Sequence, residues 1–169
     1  MQIWHYTIGQ HLSSILEEGK IKREAKVHAK KVYERVVWFS TNPVWEETAN
    51  KIITGKDGNL PVTKEITLFH GGGLARIEVF PEAAPYTWAD YRRQSKSAKK
   101  YLDALESAAL ENGADPEEWR VSYKPVLKNK WLAIEAWDSK TQTWIDALKK
   151  CEEAEVRERR NKILVIGSE

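Results

Sequence analysis

The sequence predicts a single α+β domain spanning residues 1–169. Three observations carry that expectation. Period-two apolar alternation and helical apolar spacing both recur along the chain, without the regular strand–helix–strand repetition of a parallel α/β fold. At 169 residues, with 41% apolar and 31% charged side chains, the chain is long enough to bury a core and too apolar for a disordered tail. No repeat, low-complexity tract or linker-like stretch divides it.

The elements follow in order. Residues 3–8 alternate as a strand, with Ile3, His5 and Thr7 on one face and Trp4, Tyr6 and Ile8 on the other. Leu12, Ile15 and Leu16 then sit at helical spacing, and Gly19 supplies the stop. Residues 20–35, with seven Lys or Arg side chains and His28, read as a basic surface loop. Residues 36–40 (Val-Val-Trp-Phe-Ser) carry no polar side chain until the end, as suits a strand covered on both faces. Asn42 as cap, Pro43 at the first position and Glu46 and Glu47 near the dipole predict a helix to about residue 53, ended before Gly55.

Residues 56–70 read as a long connection leading to Gly71-Gly72-Gly73. A strand over 74–80 puts Ala75, Ile77 and Val79 inward and Arg76 and Glu78 on the opposite face. Helices are expected over 86–93 and 99–111, the second ended by Gly113, and Asp115-Pro116-Glu117-Glu118 forms a capped turn. Strands over 120–127 and 130–137 are expected to form a hairpin through Lys128-Asn129. In the second of these, Leu132, Ile134 and Ala136 make a core face, and Glu135 stands between indoles on the other. A charged helix over 141–160 and a short strand over 163–166 close the chain.

Composition narrows the function classes. A formal charge of +2 is too small to argue for nucleic acid by itself, and Cys151, the single cysteine, excludes an internal disulfide and fits a reducing, cytoplasmic setting. The opening Met1-Gln2-Ile3-Trp4-His5 lacks the basic and apolar regions of a secretory leader, and no apolar run approaches the ~20 residues of a membrane helix. Eight Trp and six Tyr against three Phe favour half-wet clefts and interfaces, where indole and phenol tips find partners. No metal is expected: His5 and His11 do not form an HxxxH pair, and one cysteine makes no thiolate cluster. GxSxG and GxGxxG are missing, and the Gly71-Gly72-Gly73 run lacks the Lys-Ser/Thr of a phosphate loop.

Three segments together carry a resemblance. Trp4-His5-Tyr6-Thr7, then Leu12-Ser13-Ser14-Ile15-Leu16-Glu17-Glu18-Gly19, then Val37-Trp38-Phe39-Ser40-Thr41 resemble the opening of the ADP-ribosyltransferase-like superfamily, including its DNA-modifying toxin branch and bacterial and phage relatives. In that group a hYHxT strand precedes an LxxILxxG helix and a strand ending in a hydroxyl residue. The likeness covers the first quarter of the chain, plus Glu135 if its strand matches the superfamily's catalytic-glutamate strand.

The resemblance implies a split mixed or antiparallel sheet with flanking helices, with NAD as substrate. It implies His5 at the ribose, Ser40 with Thr41 on the nicotinamide side, and Glu135 and His5 as the catalytic pair. Tyr6 and Thr7, with Arg76, which the resemblance does not assign but which shares a strand face with Glu78, complete the expected cofactor-binding set. A carboxylate at Glu135 would stabilise the positive charge that grows on the sugar as the nicotinamide bond breaks. The acceptor would be a nucleic acid or a protein, in a toxin, a phage effector or a housekeeping protein, with no membrane. Ser40-Thr41-Asn42 departs from the Ser-Thr-Ser of arginine-directed enzymes, and Ala133 stands where those carry Glu or Gln, so arginine is not the expected target. The alternative is a non-catalytic module using the same cleft for a nucleotide or a partner protein. RNA 2′-phosphate transfer to NAD would want several basic residues at the cleft, where Arg76 stands alone.

Overall fold

The computed structural model describes residues 1–23, 33–50, 53–55, 58–60 and 63–149. His28 and most of the expected basic loop, Cys151, the end of the expected last helix and the strand over 163–166 lie outside the described residues.

Strand β1 (Trp4–Ile8) runs directly into helix α1 (Gly9–Glu18), which stops at Gly19 in the left-handed region at φ 63°. Gly9 is required for a second reason. Its backbone packs so closely on the Gly71–Gly73 turn that a Cβ would stand 2.2 Å from the Gly72 carbonyl oxygen. Strand β2 (Lys20–Ile21) follows, then β3 (Val37–Ser40) and the hairpin of β4 (Ile53–Gly55) with β5 (Gly58–Leu60). Helix α2 (Lys64–His70), capped by the Thr63 hydroxyl, leads into β6 (Leu74–Val79) and the short β7 (Tyr86–Thr87).

Helix α3 (Trp88–Gln94) opens with a full capping box between Thr87 and Asp90, whose bonds from Thr87 hold the Asp90 carboxyl below its ordinary range. Helix α4 (Lys99–Glu111) turns Leu102, Leu105 and Ala109 toward α3 and ends before Gly113 at φ 79°. Strands β8 (Trp119–Ser122), β9 (Val126–Leu127), β10 (Trp131–Asp138) and β11 (Thr143–Asp146) complete the described elements.

Seven strands join one sheet in the order β11-β10-β6-β1-β3-β8-β7, with every pairing antiparallel. The fold is therefore mixed α+β on an antiparallel sheet. Cross-strand partners point to the same face, so register defines two faces. Ile3, His5, Phe39, Ile77 and Ile134 share one, covered by Leu12 and Ile15 of α1. Trp4, Tyr6, Ser40, Arg76, Glu135 and Trp119 share the other, covered by α3, α4 and the 41–50 segment.

Four expectations need correction. The described residues 42–50 form no long helix, and residue 53 opens β4. Asn42 Oδ1 does accept the Val44 and Trp45 amides, but Trp45 is drawn into the core and Glu46 is extended, leaving one 3₁₀ turn over Glu47–Ala49. Within the expected 56–70 connection lie β5 and α2. β8 and β10 form no hairpin, because the 3₁₀ turn over Lys128–Lys130 sends β10 to β6 while β8 pairs with β3 and β7. Residues 143–146 are strand rather than helix: Asp138 caps a turn through the Lys140 amide and Thr141 hydroxyl, and β11 folds back on β10.

Candidate functional site

β1 and β3 touch at a single register pair, Trp4↔Ser40. Beyond it β1 follows β6 through five pairs and β3 follows β8 through four. The parting strands leave a cavity of about 520 Å³, within the range of small-molecule sites, lined by residues of both sheet faces. His5 reaches across the gap to the Trp38 carbonyl at 2.9 Å; a carbonyl only accepts, so Nδ1 carries the proton. Thr7 continues the wall on the His5 side, with Tyr6 and the buried Ser40 opposite. Ser40 Oγ accepts the Asn42 amide at 3.1 Å. Glu46 is buried in the same wall, where its Oε1 accepts the Thr48 hydroxyl at 2.6 Å and the Thr48 amide at 3.3 Å. The α1–β2 rim carries exposed His11, Glu18 and Lys22, with Lys20 half-buried.

Glu135 takes no part in this wall. Its register partner is Arg76, whose own partner on β1 is Tyr6, so Glu135 faces away from His5. Arg76 Nε and Nη2 both reach Glu135 Oε2 at 2.6 Å. Nη1 donates to the Pro43 carbonyl and to Tyr6 Oη at 3.4 Å. The guanidinium lies 3.8 Å from the Trp4 ring centre and 4.5 Å from that of Trp144. The Tyr6 hydroxyl donates to the Asn42 carbonyl, and burial pushes its pKa up to about 12. Lys64 Nζ sits 3.5 Å from the Trp137 ring centre, and burial holds its pKa below the ordinary range. These contacts fasten the 42–45 segment to the sheet. A buried guanidinium is tolerated only when paired and hydrogen-bonded in this way.

The cleft thus brings together His5, Tyr6, Thr7 and Ser40 and leaves out Glu135, Thr41 and Arg76. Thr41 is turned away, its amide and hydroxyl both bonded to the Glu118 carbonyl. The expectation of two indoles beside Glu135 also changes. A bulge between Trp131 and Ala133 rotates Trp131 to the Val79 face, leaving Trp137 beside the carboxylate. Trp4, Trp119 and Glu46 are among the wall residues that the sequence reading missed. Trp4 was legible as the neighbour of His5, and Glu46 was masked by its reading as a helix-dipole partner. No protein-family model, curated protein or solved structure matches the chain.

Proposed function

We propose that the protein binds a nucleotide-class ligand in the β1–β3 cleft, with NAD as the ligand its sequence resemblance implies, and that it does so without a transfer step driven by Glu135. The observation that carries this reading is the cavity itself. It opens where two strands part after one register pair, and it gathers His5, Tyr6, Thr7 and Ser40 while excluding Glu135. A carboxylate that stabilises a sugar cation must stand beside the sugar. Glu135 does not line the cavity and is held by Arg76.

Aromatic walls suit a planar heterocycle, and His11, Lys20 and Lys22 at the rim suit phosphates. A second reading, ADP-ribosyl transfer, is favoured by one observation: Glu46 is a buried carboxylate in the cleft wall. Calorimetric titration with NAD and ADP-ribose, run beside an assay of nicotinamide release, separates the two. Saturable binding without release is expected. Release abolished in Glu46→Gln would replace the binding reading with the transfer reading, and no binding of either nucleotide would overturn both.

A further inference from the structure

We infer that Glu46 selects the ligand of this cleft, its unbonded Oε2 accepting from an amino group carried on the edge of a planar ring. The inference rests on the proposed ligand-binding role of the cleft and names the group that sets its specificity.

Glu46 lines the cavity and is only 7% exposed, so its carboxylate stands largely out of water. Oε1 is occupied: it accepts the Thr48 hydroxyl at 2.6 Å and the Thr48 amide at 3.3 Å, which fixes the carboxylate against the turn over Glu47–Ala49. Oε2 has no hydrogen-bond partner among the described residues. It is not sealed in, since it keeps accessible surface where the Trp4 and Trp119 indole nitrogens are closed off. Nor does an ion pair among the described residues neutralise it. The Arg76 guanidinium makes its ion pair with Glu135 and its further bonds with Tyr6 and Pro43, and Lys22 at the rim is paired with Glu18 at 2.6 Å. A buried carboxylate left in this way is costly, and a ligand that pairs with it recovers the loss.

The chemistry of the complement follows. An ionised carboxylate oxygen accepts and cannot donate, so the ligand must bring a donor, and an anion or a bare carbonyl at that place is repelled. Val37, Phe39, Ala49 and Leu105 give the cavity apolar walls, and polar side chains nearby are committed. Ser40 Oγ takes the Asn42 amide, and the Asn50 side chain joins Trp45 and Glu47. One open acceptor between apolar walls fits a flat ring with an N–H₂ group on its edge better than a sugar, whose hydroxyls need several partners. Half-buried Lys20, which has no ion pair among the described residues, is left at the α1–β2 rim for the ligand's phosphate. In NAD two groups have the required chemistry, the adenine amino group and the nicotinamide carboxamide.

The test is calorimetric titration of the natural protein and of Glu46→Gln with NAD and two analogues. The hypoxanthine analogue carries a carbonyl in place of the adenine amino group, and the nicotinate analogue carries a carboxylate in place of the carboxamide. The natural protein should bind one of them at least about tenfold more weakly than NAD, a comparison that needs no variant. Glu46→Gln keeps a carbonyl for Thr48 and turns its own N–H₂ toward the ligand, so that same analogue should come within about twofold of NAD. The analogue recovered in this way identifies the ring at Glu46. Both analogues within about tenfold of NAD on the natural protein, or a loss that Glu46→Gln leaves in place, would overturn the assignment while leaving the cleft's role intact. No binding of NAD by the natural protein would overturn both.

Discussion

The Arg76 cluster and the β1–β3 cleft occupy neighbouring stretches of one sheet and treat polar groups in opposite ways. Around Arg76, Glu135, Tyr6, the Pro43 carbonyl and two indole faces are brought to one guanidinium, and the Tyr6 hydroxyl in turn donates to the Asn42 carbonyl. In the cleft, a strand pair stops after one register position and the buried Glu46 carboxylate keeps one oxygen without a partner among the described residues. A buried guanidinium bonded through Nε, Nη1 and Nη2 is a fastening, because those groups are engaged within the protein. Parted strands leave a cavity that makes room for a ligand. The presence of a carboxylate beside an arginine is thus a poorer sign of function than an open, polar-lined cavity.

Substitutions on the two sides should separate cleanly in size. Arg76→Met leaves Glu135 and the Pro43 carbonyl without their partner and should cost about 3–5 kcal/mol, read from urea unfolding. A loss below about 1 kcal/mol would mean that the cluster is not the fastening described. Gly9→Ala should cost about 1–3 kcal/mol, since its Cβ meets the Gly72 carbonyl at 2.2 Å and only backbone can yield. Glu135→Gln keeps an acceptor for Arg76 and loses the charge, a change of about 1–2 kcal/mol with no effect on the cleft. Ser40→Ala, on the cleft side, should cost about 1 kcal/mol or less in stability, since it loses one bond from the Asn42 amide.

The Tyr6 hydroxyl sharpens the comparison through pH. Its folded pKa of about 12 stands above the ordinary 10.0, so the folded state holds this proton more tightly than the unfolded state. The stabilisation is complete below pH 10.0 and is lost as pH rises through about 12. Tyr123, also pushed up to about 12 by burial, behaves in the same sense. Spectrophotometric titration should find Tyr6 and Tyr123 among the late-ionising tyrosines, and Tyr6→Phe should remove one late step.

Local chemistry made much of this legible from the amino acids. The β1 alternation, the Leu12–Ile15–Leu16 spacing with its Gly19 stop, the Arg76 face of β6, the span of α4 and the Asp115 cap all depend on neighbours in the chain. What escaped depended on distant partners. Nothing within residues 120–137 says that β8 pairs with β3 and β10 with β6, so the nearest strands were joined instead. Trp45 abandons a well-capped helix start because Tyr6 and Trp144 supply a core 5.2 and 6.3 Å away between ring centres. The four-residue β11 was absorbed into the helix-forming composition that follows it, though Asp138-Ser139 already marked a turn. His5, Tyr6, Thr7 and Ser40 were found as cleft residues, whereas the side of the sheet on which Glu135 lies depends on register across β6.

The claim that the β1–β3 cleft, and not the Arg76–Glu135 pair, is the functional site meets its most direct test in Glu135→Gln. NAD titrated calorimetrically into this variant and the natural protein should bind both with affinities within about twofold of each other, since no cleft contact is touched. A tenfold or greater loss of NAD affinity in a variant that remains folded, or nicotinamide release by the natural protein that the variant lacks, would contradict it and return Glu135 to the centre of the chemistry.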